Sequence, residues 1–181
     1  MNKNCLTRLK SPRIHSTAFV HPKSEVFGDV SIGKDCWIGP FASIRGDFGR
    51  VIIGEKCNIQ EGCVLHSFPG EEVVLEECVH VGHGAILHGC NIHSNVLIGI
   101  RATVLDKSVI HANNIIGAHS LVLNESILES GHLYFGSPVK QIRILAEDEI
   151  RWIQRGILEY VSLIPMYKNL PNADRRTFLH T

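Results

Sequence analysis

The chain has 181 residues, 44% of them hydrophobic and 20% charged, with eighteen Lys and Arg against eighteen Asp and Glu. That length suits one domain or at most one and a half, and the composition is too apolar for a disordered tail. The charge balance excludes a polybasic face for nonspecific binding to nucleic acid or a membrane surface. With aromatic residues at only 7%, the core must be built from Val, Ile, Leu and small side chains.

The opening stretch from Met1 to Arg8 has no apolar run, so no signal peptide is expected. Nothing approaches the roughly 20 consecutive apolar residues of a membrane span. The six cysteines, Cys5, Cys36, Cys57, Cys63, Cys78 and Cys90, form no CxxC pair and read as reduced thiols of a cytoplasmic protein.

From Ile14 onward an aliphatic residue recurs every six positions: Ile14, Val20, Val26, Ile32, Ile38 and Ile44. The register resumes at Ile53, Ile59 and Leu65, again at Leu75, Val81 and Leu87, and then runs from Ile92 to Val122, making eighteen anchors. A small or slim residue usually sits two positions before the anchor, and Gly often follows it. Cys36, Cys57, Cys63 and Cys90 fall in those slim positions and read as small core hydrophobes.

Period six is neither helical nor simply alternating. It fits a short strand plus a turn, three such units closing one triangular coil, with stacked coils sharing an aliphatic core. The expectation is a parallel β-helix of about six coils over residues 1–136, with a short N-terminal lead-in, ending its hexad register at Val122. Residues 137–181 form a second segment. There Ile150, Ile153, Ile157, Val161 and Ile164 have helical spacing, so an amphipathic helix is expected over residues 146–164, stopped by Pro165 and lying along the solenoid. The polar tail from Met166 to Thr181 is expected to be loosely ordered.

Every third anchor stacks on one edge. The register breaks only on the third edge, which carries Val26, Ile44, Leu65, Leu87, Val104 and Val122: three residues are added after Ile44, four after Leu65, and one is lost after Leu87. Irregularity confined to one face of a repeat marks a binding face. Just after those anchors come Arg45, His66 and His88. At about 4.8 Å between stacked strands, His66 and His88 can converge on one metal ion. His83 lies five residues before His88, up to roughly 16 Å away along extended chain, so only an interface with another copy lets it share that ion. His15, His93 and His111 share the first edge but are placed on coils that are not consecutive. They read as solvent or packing histidines, as do His21, His80, His119, His132 and His180.

Ile44-Arg45-Gly46-Asp47, Asn58-Ile59-Gln60-Glu61-Gly62, Val64-Leu65-His66, Val81-Gly82-His83 and Leu87-His88-Gly89-Cys90 resemble the γ-class carbonic anhydrases in order and spacing. The stretch from Gly136 to Arg143 fits as well, and the resemblance covers about residues 12–165. The longer runs Arg45-Gly46-Asp47-Phe48-Gly49-Arg50 and His66-Ser67-Phe68-Pro69 are closest to the branch named for phenylacetic-acid degradation and the carnitine operon.

The resemblance implies a left-handed β-helix, a homotrimer, and a metal at each subunit interface: Zn2+, with Fe2+ or Co2+ as alternatives. The implied ligands are His66, His83 and His88, with His83 given by the neighbour. Arg45 and Asp47 would form an intersubunit ion pair, with Arg45 meeting bicarbonate, and Gln60 would orient the metal's water. Tyr134 matches a tyrosine found near the site in some relatives. Glu71 or Glu72 is the only counterpart of the family's proton-shuttling Glu, and an exposed turn with two solvated carboxylates is the better reading of them. The implied reaction is hydration of CO2 to bicarbonate by a zinc-bound hydroxide. Hydrolysis of a CoA thioester and a non-catalytic accessory role are the alternatives. Hexapeptide acyltransferases, with one interfacial His and no three-His shell, fit less well.

Overall fold

A computed structural model describes residues 10–169. The three predicted columns of anchors are present and in register. The first edge runs Ile14, Ile32, Ile53, Leu75, Ile92, Ile110, Leu128. The second runs Val20, Ile38, Ile59, Val81, Ile98, Ile116, Tyr134. The third runs from Val26 to Val122 as expected. All three are parallel ladders, and from Ile32 to Val122 every anchor is at most 3% exposed. Cys36, Cys57, Cys63 and Cys90 are buried among them, and burial pushes the thiols of Cys63 and Cys90 up to about 11 and about 12.

The solenoid has about seven turns rather than six, because the register does not end at Val122. Leu128 and Tyr134 take the next two inward positions. Tyr134 is an aromatic in an aliphatic column, and it breaks the pattern without leaving the core, at 4% exposure. The coil closes with an antiparallel pair, His132–Gly136 against Val139–Ile144. The segment after residue 136 therefore begins as a strand of the solenoid's sheet.

Coil packing also explains the glycines that follow anchors. A Cβ on Gly99 would lie 2.6 Å from the backbone carbon of Gly117 on the next coil, inside any real contact. Corner turns use left-handed backbone, with φ near 58° at Asn95 and 59° at Asn113. Asn tolerates that region, and here the two amides also bond coil to coil, Asn95 Nδ2 donating to Asn113 Oδ1 at 2.6 Å.

The C-terminal helix spans Glu147–Asn169. Glu149 folds back to accept from Ala146 N at 2.9 Å and is clamped by Arg143 at 2.6 and 2.8 Å, which caps the N-terminus. The helix covers the residues that precede the second-edge anchors. Ile153 and Ile157 pack with Leu97, Ile115 and Leu133, while Ile164 packs with Phe19 and Trp37. Pro165 does not stop it. Four further residues stay helical because they are docked: Tyr167 stacks on Phe19 at 5.3 Å, and Lys168 Nζ donates to the carbonyls of Ser16 and Thr17 at 2.8 and 3.0 Å. Packing there offsets the backbone hydrogen bond that proline cannot make. Cys5, His180 and most of the predicted tail lie outside the described residues.

Candidate functional site

The third edge brings together the residues expected there. His66 and His88 are paired across adjacent strands, with ring centroids 5.3 Å apart. His66 Nδ1 lies 3.3 Å from His88 Nε2. Each ring's other nitrogen meets a carboxylate: His66 Nε2 is 3.2 Å from Asp47 Oδ1, and His88 Nδ1 is 2.5 Å from Asp106 Oδ1. A carboxylate only accepts, so those two nitrogens carry the protons. With both rings neutral, the nitrogens that face each other are both bare. Burial, and after it the Arg45 guanidinium, holds His66 below the usual histidine range, which keeps its ring neutral.

Two bare lone pairs at 3.3 Å want a cation between them. A tetrahedral ion with bonds of about 2.0–2.1 Å has ligand–ligand edges of about 3.3–3.4 Å. The observed separation matches that edge. A ligating histidine usually hands its second nitrogen to a carboxylate, which sets tautomer and orientation, and Asp47 and Asp106 do this here.

Two phenylalanines on the inserted loops flank the pair. Phe48 lies 5.5 Å from the His66 ring and Phe68 stands edge-on to His88 at 4.9 Å. Both are more than half exposed. Gly49 lets the two loops nest: a Cβ there would fall 2.7 Å from the Phe68 carbonyl oxygen. Within the one chain described, Arg45 donates to Asp47 Oδ2 at 2.7 Å. Burial raises the Asp47 carboxyl and the Arg45 hydrogen bond lowers it, leaving it below the ordinary value. Glu71 does not sit in an exposed turn as expected. It is tucked beside Gly89 with Oε1 3.5 Å from Lys107. Glu72 is exposed and lies 3.7 Å from Arg50.

His83 sits on another face, half exposed, with Nδ1 2.6 Å from Glu61 Oε2. It therefore has the same carboxylate-backed form as the other two, with Nε2 left for a ligand. Among the described residues no three His, Cys, Asp or Glu side chains gather on one point. Gln60 belongs to the His83 face: its Nε2 donates to Asn58 Oδ1 at 3.1 Å and lies 2.6 Å from His80 Nε2. Tyr134 is not at the site. It is a core residue three coils beyond Val81, roughly 14 Å away at about 4.8 Å per coil, with its hydroxyl donating to Glu129 O at 3.2 Å.

Sequence reading assigned no role to Asp106 or Glu61. Glu61 and His83 are 22 residues apart, the same separation as His66 and His88, so coil counting could have found that pair. His80, read as a solvent or packing histidine, is a packing one. The helix covers it, Tyr160 stands edge-on at 5.5 Å, and burial, with a smaller push from His83, lowers it to about 4. Beside it a cavity of about 410 Å³ is lined by apolar Leu97, Ile98, Ile115 and Trp152, with Gln60 and His83 at its polar end. His93 and His111 also differ from expectation. They are 18 residues apart, one regular coil, and stack at 4.9 Å.

The sequence matches the model described as "Bacterial transferase hexapeptide (six repeats)" over residues 29–67 and 89–124. It is 40% identical over 153 residues to the carnitine operon protein CaiE of Escherichia coli K12, covering 84% of this chain and 78% of that one. Among solved structures it is similar to a Bacillus cereus protein described only provisionally as an acetyltransferase, at 38% identity and TM-score 0.86, covering 88% of this chain and 93% of the other. It is also similar to a hexapeptide transferase family protein of Anaplasma phagocytophilum, at 33% identity and TM-score 0.82, covering 86% and 92%.

Proposed function

Because the chain belongs to the bacterial hexapeptide-repeat family, among relatives of the carnitine operon protein CaiE, we propose that its third edge is a metal centre for hydration of CO2 to bicarbonate. The observation that carries this is the pair of facing imidazole nitrogens, His66 Nδ1 and His88 Nε2, 3.3 Å apart, on rings each backed by a carboxylate. His66 and His88 of one copy and His83 of a second would hold the ion in a threefold assembly; Zn2+ suits the all-imidazole set, as do Fe2+ and Co2+. Such an ion supplies Lewis acidity and brings the pKa of a bound water down to about 7.

The chain's own residues do the rest. Arg45, with its side chain 41% exposed and one arm held by Asp47, would receive a planar anion by charge-assisted hydrogen bonds. Gln60 would come with His83 from the second copy, and its fixed amide would orient a water there. Phe48 and Phe68 would dry the approach to the pair.

A second reading, cleavage or transfer of an acyl group from a CoA thioester, is favoured by the apolar cavity beside His83. It has room for an acyl or aryl group that CO2 does not need. Relatives described as transferases support it as well.

Metal-stripped and Zn2+-loaded protein should be compared for CO2 hydration by stopped-flow indicator kinetics, with a panel of acyl-CoA and aryl-CoA esters run alongside. The expected result is metal-dependent hydration, lost in His83→Ala by more than the roughly 10–100-fold that outer-shell changes cost, from a protein sedimenting as a trimer. A zinc-replete trimer that cleaves a thioester and leaves CO2 at its uncatalysed rate would replace the first reading with the second. A monomer, or inactivity toward both substrates, would remove both.

A further inference from the structure

A second pair of stacked imidazoles lies on the first edge. His93 and His111 follow the anchors Ile92 and Ile110, which pair across adjacent coils. The ladder continues through them, His93 N donating to Ile110 O at 2.9 Å and His111 N to Leu128 O at 3.0 Å. Their rings stand 4.9 Å apart at 54°, against 5.3 Å and 55° for His66 and His88. The cause is the same in both cases: equivalent positions on neighbouring coils force two side chains to rise side by side.

The column extends both ways. One coil earlier Glu76 follows Leu75, with Oε1 3.3 Å from His93 Nδ1. Glu76 is itself fixed, its Oε2 accepting from Ser94 N at 2.9 Å and Ser94 Oγ at 2.8 Å. One coil later Glu129 follows Leu128 in the same position and is exposed. The edge thus reads Glu76, His93, His111, Glu129, two imidazoles between two carboxylates. His93 and Glu76 have side chains 30% and 40% exposed, so an ion can arrive from solvent without unfolding.

We propose that this ladder is a separate binding site for a divalent transition metal. His93 Nε2 and a ring nitrogen of His111 are the ligands. Glu76 Oε1, 3.3 Å from His93 Nδ1, favours the proton on that nitrogen and leaves Nε2 for the ion, with water filling the remaining positions. Imidazole suits Zn2+, Ni2+ or Cu2+ rather than Mg2+ or Ca2+. The site shares no residue with the third-edge pair and stands or falls independently of the catalytic reading.

The test is Zn2+ binding by the metal-stripped full chain in equilibrium dialysis. Wild type should hold one more ion per chain than His93→Ala/His111→Ala, and His66→Ala should keep that extra ion. Glu76→Gln, which leaves both ligands in place, should weaken it roughly 10–100-fold. Melting curves check that each variant is folded. As a readout that needs no variant, two equivalents of Cu2+ should broaden the ring NMR signals of His93 and His111. The proposal is overturned if the double variant binds as many ions as wild type with equal affinity, or if those two ring signals ignore Cu2+.

Discussion

His80 makes the fold acid-sensitive in a calculable way. It lies on the second edge between Asn58 and Leu97, where the C-terminal helix passes over it. Gln60 Nε2 is 2.6 Å from its Nε2, and among the described residues no carboxylate pairs with it to stabilise a cation. Protonation would put a charge where the helix excludes water, so burial depresses its pKa from 6.5 to about 4. In the unfolded chain the ring titrates near 6.5. Between those values the unfolded state binds the extra proton, so stability is full above pH 6.5 and falls as pH drops toward 4. A difference of roughly 2.5 pH units at 1.36 kcal/mol each gives about 3 kcal/mol. Urea unfolding of wild type and His80→Gln from pH 7.5 to pH 4 reads this directly. Glutamine keeps a polar group against Gln60 and does not titrate. Wild type should lose about 3 kcal/mol more than the variant over that range. His66, also depressed by burial, adds to both proteins and cancels. Parallel stability–pH curves for the two proteins would refute the reasoning.

Other outcomes follow from the same geometry. Asp106→Asn replaces the acceptor 2.5 Å from His88 Nδ1 and frees that ring to take the other tautomer. Zn2+ affinity, measured by chelator competition in a His93→Ala/His111→Ala background, should fall roughly 10–100-fold, or about 1.4–2.8 kcal/mol; unchanged affinity would deny Asp106 its role. Ile98→Ala empties a fully buried position between Val81 and Ile116. It should cost about 2–5 kcal/mol in chemical unfolding, and a loss below about 1 kcal/mol would contradict the tight coil-on-coil packing. Pro165→Ala restores a backbone donor inside the helix while leaving Ile164 docked. It should stabilise the protein by about 1–3 kcal/mol, and a destabilised variant would show that the proline shapes the docked end.

The solenoid was legible because each coil must bury something, and in a chain with few rings that something is an aliphatic residue every sixth position. Once the period is seen, the columns follow by counting, and the cluster of insertions beside Ile44, Leu65 and Leu87 singles out one edge. Counting also misleads where a residue does not look the part. Tyr134 fills an anchor position as an aromatic, so the last coil and the tyrosine's place in the core both went unread. His93 and His111 needed only their separation of one coil to be recognised as neighbours.

Linear spacing says which residues share a coil edge, because backbone ladders have a fixed rise. It cannot say which ring nitrogen faces which, since that depends on side-chain rotation and on the acceptors the fold happens to supply. Asp47 and Asp106 reach opposite ends of the His66–His88 pair from different coils, and Asp47 also takes a hydrogen bond from Arg45. The helix that covers His80 returns from the far end of the sequence and continues past a proline because Phe19 and Trp37 are there to receive it. Burial, tautomer and pKa belong to those long-range contacts: they are set by how much water a neighbour removes, and no one-dimensional pattern carries that quantity.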